Sequence, residues 1–168
     1  FGGIIHNPAQ ALAELIAGLH STDGSITLPN FYDRVRPLSK AELEELGRLP
    51  MTDDYYLEQT GSPATYGETG FTSVERIGAR PTLDVNGLYS GFTGPGSKTV
   101  IPSWAMAKIS MRLVPDQDPE EVYQQLLAYL TEKAPKTIRW EVEKMAGSPA
   151  SISDVQHPAT IALSKAFE

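Results

Sequence analysis

The residues best suited to chemistry lie between positions 91 and 112. Arg112 carries a permanent charge and a planar fork of donors that grips carboxylates bidentately. Thr99 offers a hydroxyl to a carboxylate or an oxyanion, and Lys98 stands beside it. Gly94 and Gly96 let backbone N–H groups approach a ligand closely. Each of these has a plainer reading. Arg112 fits a solvated strand residue, Thr99 fits strand propensity, and the glycines fit a flexible hairpin loop. GFTGPGSKT is not a phosphate-binding loop: Ser97 separates Gly96 from Lys98, and Pro102 follows where a helix is required. His6, His20 and His157 lack metal-ligand spacing. The acidic residues are scattered or sit in helix first turns, and the chain has no cysteine, which excludes disulfide and thiolate chemistry.

The elements around these residues follow from periodicity. Residues 105–114 alternate strictly: Ala105, Ala107, Ile109, Met111 and Leu113 face one way, and Lys108 and Arg112 share the other face. That is a half-buried strand. Residues 82–86 form a second β-rich run, and the glycine-rich stretch 91–98 joins the two. Asn7-Pro8 opens a helix whose stripe is Leu12, Leu15, Ile16 and Leu19. Residues 25–28 fit a short strand. Ser39 with Glu42 is a capping-box pattern, residues 52–59 fit a helix, and residues 71–78 a weaker one. Asp118-Pro119 opens a further helix, with two acids in its first turn. Residues 137–144 alternate as another strand, and His157-Pro158 starts a last helix. The order predicts an α+β fold: an antiparallel sheet with helices on one face, carrying an irregular insert. A split βαβ sandwich of the ferredoxin-like kind begins with a strand before its first helix, which here would lie upstream of Phe1.

The 168 residues suffice for one domain with a core. A net charge of −7 argues against nucleic acid or an anionic membrane as partner. No stretch approaches the length of a membrane span. The N-terminal FGGII is no signal peptide, and the expected location is cytoplasmic.

RPTLDVNG, SGFTGPGSKTVIP and AKISMRLVPDQDPEEV together resemble the lid, or dimerisation, domain of the di-zinc metallopeptidases. That family holds the carnosine dipeptidases, aminoacylase and acetylornithine deacetylase, and the dipeptidase branch is the most similar. The resemblance implies that residues 1–155 form the lid domain and that 156–168 begin the return to a separate catalytic domain holding two zinc ions. It implies no metal ligands in this chain and no catalysis by it alone. Arg112 would bind the substrate's terminal carboxylate, with Thr99, Lys98, Gly94 and Gly96 contributing to substrate binding. The homodimer would form through an edge strand, residues 82–86, lying beside the helix opened by Asn7-Pro8. The last helix would lack its native partner surface, leaving Leu163 and Phe167 to find a substitute contact on this domain or on a neighbouring copy. In the dipeptidase branch a His-Ser-Gly precedes the segment matching Phe1-Gly2-Gly3, so the His that reaches the partner's active site would lie just before Phe1. A ferredoxin-like module binding an amino acid, or a purely structural dimerisation domain, would give the same order of elements.

Overall fold

A computed structural model describes residues 1–167. Helix α1 spans Pro8–Ala17, with the Asn7 side chain accepting from the Ala9 N–H at 2.9 Å. Helices α2 (Lys40–Gly47), α3 (Asp53–Thr60) and α4 (Ser73–Gly78) belong to the insert. Strands β1 (Thr82–Ser90) and β2 (Ala105–Arg112) form the hairpin, followed by α5 (Pro119–Lys133) and α6 (Pro158–Phe167). The expected capping box on α2 is present, Ser39 with Glu42, and a second one, Thr72 with Glu75, opens α4. The short strand expected at 25–28 reduces to one bridge, His20 to Ile26. Phe31 and the turn carrying it occupy the core instead.

The core lies between the helices and one face of the hairpin. Leu15 and Leu19 come from α1 and its end, Ile26, Leu28 and Phe31 from the following turn, Leu83 from β1, and Val122 and Tyr129 from α5. Ile109 and Met111 of β2 pack against this cluster. The Tyr129 hydroxyl donates to the Leu15 carbonyl at 2.9 Å, and a Cβ at Gly18 would collide with that hydroxyl. Buried Gln117 joins distant segments. Its Nε2 donates to the Phe31 carbonyl at 2.9 Å, and its Oε1 accepts from the Val114 N–H at 3.1 Å.

The hairpin is antiparallel and pairs Thr82 with Arg112 through Val85 with Ile109. A bulge follows at Asn86, and pairing resumes from Gly87 with Lys108 to Ser90 with Ala105. Exposure alternates along the whole of β2, as its sequence requires. The α+β class and the antiparallel sheet with helices on one face are as expected. From α1 onward the order helix, strand, strand, helix is that of a split βαβ unit.

Two placements differ from the sequence expectation. Helix α1 lies closest to β2, not to the edge strand β1. Residues 137–144 are not in a ladder. Thr137 meets His6 at 2.7 Å, Ile138 packs on the core, and Lys144 pairs with Glu120 and lies over the Tyr123 ring. The segment therefore runs back along α5, whose backbone groups are already bonded within the helix and can pair with nothing beside it. Leu163 and Phe167 of α6 are exposed, and no described residue covers them. No helix among the described residues is long and apolar enough to cross a membrane.

Replacing Gln117 with Leu strands the Val114 N–H and the Phe31 carbonyl in the core, an expected loss of about 2–4 kcal/mol in urea unfolding. Acid should also weaken the fold. Asp23 is held down to about 2 by hydrogen bonds from the Ser21 and Ser25 side chains and the Ser25 N–H. Glu42 is held down to about 2 by Arg36 and then Ser39. Both carboxyls are lower in the folded chain than in the unfolded one. Their stabilisation is therefore complete above the ordinary values of 3.8 and 4.5 and is lost as pH falls toward about 2. The urea midpoint should fall across that window, and more shallowly in a variant carrying Asp23→Ala and Glu42→Ala.

Candidate functional site

The helices cover one face of the hairpin, so the side chains that alternate away from the core form an outer face. On β2 these are Lys108, Ser110 and Arg112, all exposed. Across from them on β1 stand Thr82, opposite Arg112, and Asp84, opposite Ser110. Thr82, Asp84, Ser110, Met111 and Arg112 line an open groove of about 320 Å³. The Thr82 hydroxyl donates to the Asp84 carboxylate at 3.2 Å. Among the described residues Arg112 is in no ion pair. A carboxylate entering the groove meets a guanidinium with free donors and the Ser110 hydroxyl, with the Asp84 carboxylate beside them.

The sequence reading named Arg112 but missed Thr82, Asp84 and Ser110. Their signal was the polar alternation of Thr82 and Asp84 against Leu83 and Val85. Its significance needed the register that sets them beside Arg112.

The glycine-rich loop, residues 91–104, leaves the hairpin from its opposite end. At about 3.3 Å per residue, Ala105 lies about 23 Å along the strand from Arg112. The loop's own contacts are local. Lys98 Nζ sits 4.8 Å from the centre of the Phe92 ring, and Ser90 Oγ donates to the Trp104 carbonyl at 2.9 Å. Thr99, Gly94 and Gly96 are exposed. Gly96 has φ +84°, a conformation suited to glycine. The structure thus places Lys98, Thr99, Gly94 and Gly96 in one loop and Arg112 in a separate groove.

The histidines are spread apart: His6 faces Thr137, His20 bridges to Ile26, and His157 Nδ1 accepts from the Ala159 N–H at the start of α6. Among the described residues no group of three or more His, Asp or Glu side chains is arranged to hold a metal ion.

A hairpin with one helix-covered face, a free cation in an open groove and a small-residue loop at its far end defines a class: an α+β domain that presents a surface to another body. The chain belongs to the peptidase dimerisation domain family, whose model matches residues 1–138. It is 31% identical over 130 residues to the Beta-Ala-His dipeptidase of Homo sapiens, covering 77% of this chain and 26% of that protein. It is 27% identical to a Cys-Gly metallodipeptidase of Candida albicans, covering 100% of this chain and 35% of that one. The structure of human carnosine dipeptidase 1 superposes with a TM-score of 0.76 at 26% identity, over 99% of this chain and 36% of that chain. A metallo-carboxypeptidase of Sulfolobus solfataricus superposes at 0.68 with 32% identity, over 77% of this chain and 34% of that one. The chain thus spans about a quarter to a third of the length of these relatives.

Because Arg112 is exposed and unpaired, it contributes little to the fold. Arg112→Ala should change unfolding free energy by no more than about 0.5 kcal/mol in urea titrations.

Proposed function

We propose that this chain is the dimerisation and substrate-clamping domain of a metal-dependent dipeptidase. The observation that carries the proposal is the groove itself, an exposed Arg112 with free donors in a family whose relatives include dipeptidases. Arg112 holds the terminal carboxylate of a peptide-like substrate, with Ser110 as a neutral donor. Asp84 is placed to take a cationic group beside it.

Thr99, Lys98 and the backbone of Gly94 and Gly96 act at the other end of the hairpin. An extended dipeptide spans about 7 Å, far less than the length of β2. The division of labour is therefore between copies: the loop of one serves the site that holds Arg112 of the other. Two copies make the homodimer, with the free edge of β1 as one contact.

The metal chemistry has no home in these residues. Among the described residues no group of three or more His, Asp or Glu side chains is arranged to hold a metal ion, so they do not fit a two-zinc centre. Hydrolysis belongs to a catalytic domain joined to this one, with residues 1–155 as the lid and 156–168 leading toward that domain. A cytoplasmic location is part of the same reading.

The test is calorimetric binding of β-alanyl-histidine, with peptide turnover measured in the same samples with and without zinc. The expected affinity is about millimolar. A charge-assisted contact is worth about 1.5–3 kcal/mol, so Arg112→Ala should weaken binding by about tenfold or more. No turnover is expected. Zinc-responsive hydrolysis by this chain would overturn the domain assignment, and binding indifferent to Arg112→Ala would overturn the clamp.

A further inference from the structure

Asn86 is the only Asn of the chain that precedes a Gly. Asn-Gly usually makes a two-residue turn in which both residues take positive φ. Here neither does, and both lie inside β1. Space does not require glycine at 87 either. A Cβ there would meet the Lys108 side chain at 3.7 Å, an ordinary contact. Asn86 is the bulge residue: the ladder steps from Val85 to Gly87, so Asn86 has no partner on β2, and it is exposed. Among the described residues no hydrogen bond holds its side chain. Neither turn geometry nor packing accounts for the pair.

We propose that Asn86-Gly87 is a self-modifying site, converted to aspartate and isoaspartate without an enzyme. The Gly87 nitrogen gives its proton to solvent base and bonds to Asn86 Cγ. The Cγ–Nδ2 bond breaks, and ammonia leaves with a proton taken from water. The product is a five-membered imide, and a second water opens it. Opening at Cγ gives aspartate. Opening at the main-chain carbonyl of residue 86 gives isoaspartate, in which the main chain runs through Cβ and Cγ. The attack is intramolecular, and glycine has no side chain to obstruct it. An unpaired residue in a two-stranded sheet needs only a local opening to reach the angle of attack.

The comparable sites are blocked. Asn7 precedes Pro8, which has no N–H. Asn30 precedes Phe31, which is 2% exposed and donates its N–H to the Leu28 carbonyl at 3.2 Å. Asp23-Gly24 can close the same imide, but the Asp23 carboxylate is held by the Ser21 hydroxyl and by the Ser25 hydroxyl and N–H, at 2.7 and 3.0 Å for Ser25. Gly24 is also pinned against the Gly67 carbonyl. Conversion at 86 changes β1 in two ways. Residues 85–97 carry no charged side chain, and either product adds one. Isoaspartate also adds a methylene to the main chain, so the pairs from Gly87 to Ser90 lose their register with those before the bulge. This chemistry is independent of the groove and of dimerisation.

The experiment incubates the folded 168-residue chain at mildly alkaline pH and follows the tryptic peptide Ile77–Lys98, in which Asn86 is the only side-chain amide. A mass gain matching one amide-to-acid exchange is expected, with isoaspartate detected in the same peptide by an isoaspartate methyltransferase. Gly87→Ala fits the space at 87, so its urea midpoint should be no lower than that of the unaltered chain, while the mass gain slows by at least about tenfold. A folded chain that gains no mass overturns the proposal, whether or not the chain in urea gains it. A gain that Gly87→Ala leaves unchanged overturns it as well, and so does isoaspartate forming at Asp23-Gly24 as fast as at Asn86.

Discussion

Two helices must roof a hairpin that is longer than they are, and most of the structure follows from that mismatch. At about 1.5 Å per residue, the ten residues of α1 reach about 15 Å and the fifteen of α5 about 22 Å. The nine residues of β1 reach about 30 Å. The helices are also locked to each other, since the Tyr129 hydroxyl donates to the Leu15 carbonyl and Gly18 leaves room for it. That lock fixes the roof over Leu83, Ile109 and Met111, the end of the hairpin nearest Arg112. Cover is greatest at the end of the hairpin near Arg112 and falls away toward its far end.

The insert is held by a second, independent constraint. Glu68 receives both Nε and Nη2 of Arg80, at 2.7 and 2.6 Å. The guanidinium carbon sits 4.2 Å from the Phe71 ring centre and 5.0 Å from that of Tyr32. Tyr32 in turn accepts the Ile26 N–H at 2.9 Å, so the clamp connects the insert to the turn that carries core residues. A mostly buried ion pair of this kind adds little net stability over an apolar packing, but losing one partner strands the other charge. It acts as a locating device, fixing where a stretch with few buried apolar side chains must sit. Gly24 does the same beside that pair: with φ +82°, it lies so close to the Gly67 carbonyl that no Cβ would fit.

What the sequence made legible was local. Asn7-Pro8, Ser39 with Glu42 and Asp118-Pro119 each declare a helix start because the cap satisfies backbone donors within three residues. The alternation along 105–112 declares a strand because burial on one face has period two. Pairing is not local, and there the reading ran out. Residues 137–144 alternate as well as β2 does, but their neighbour is a helix with no free backbone groups. Nothing in the two runs distinguishes them. Thr82 and Asp84 joined the groove through register, and the bulge at Asn86 was invisible in a run that reads as continuous strand. Placing α1 beside β1 failed for the same reason: chain order does not say which strand a helix lies over. The family resemblance was legible because its motifs are contiguous, whereas the distance between the glycine loop and Arg112 appears only once the strand between them is extended.

That distance bears on how an open groove can act as a clamp. Two unit charges 4 Å apart attract by about 1 kcal/mol in water and by about 4 kcal/mol at the effective dielectric constant near 20 of a protein interior. As it stands, Arg112 is on the water side of that difference. Nothing within the chain can move it, because the only layer able to exclude solvent is already on the opposite face of the sheet. The outer face gains a useful guanidinium only when another body closes over it. The exposed apolar side chains at the far end of the hairpin would lose contact with water in any closure that covered them, which would favour it. Arg112 and that far end are parts of one rigid ribbon, joined by an unbroken β2. Covering the far end therefore sets where the groove sits relative to whatever covers it. On the proposed function, docking and substrate recognition become two consequences of the same burial.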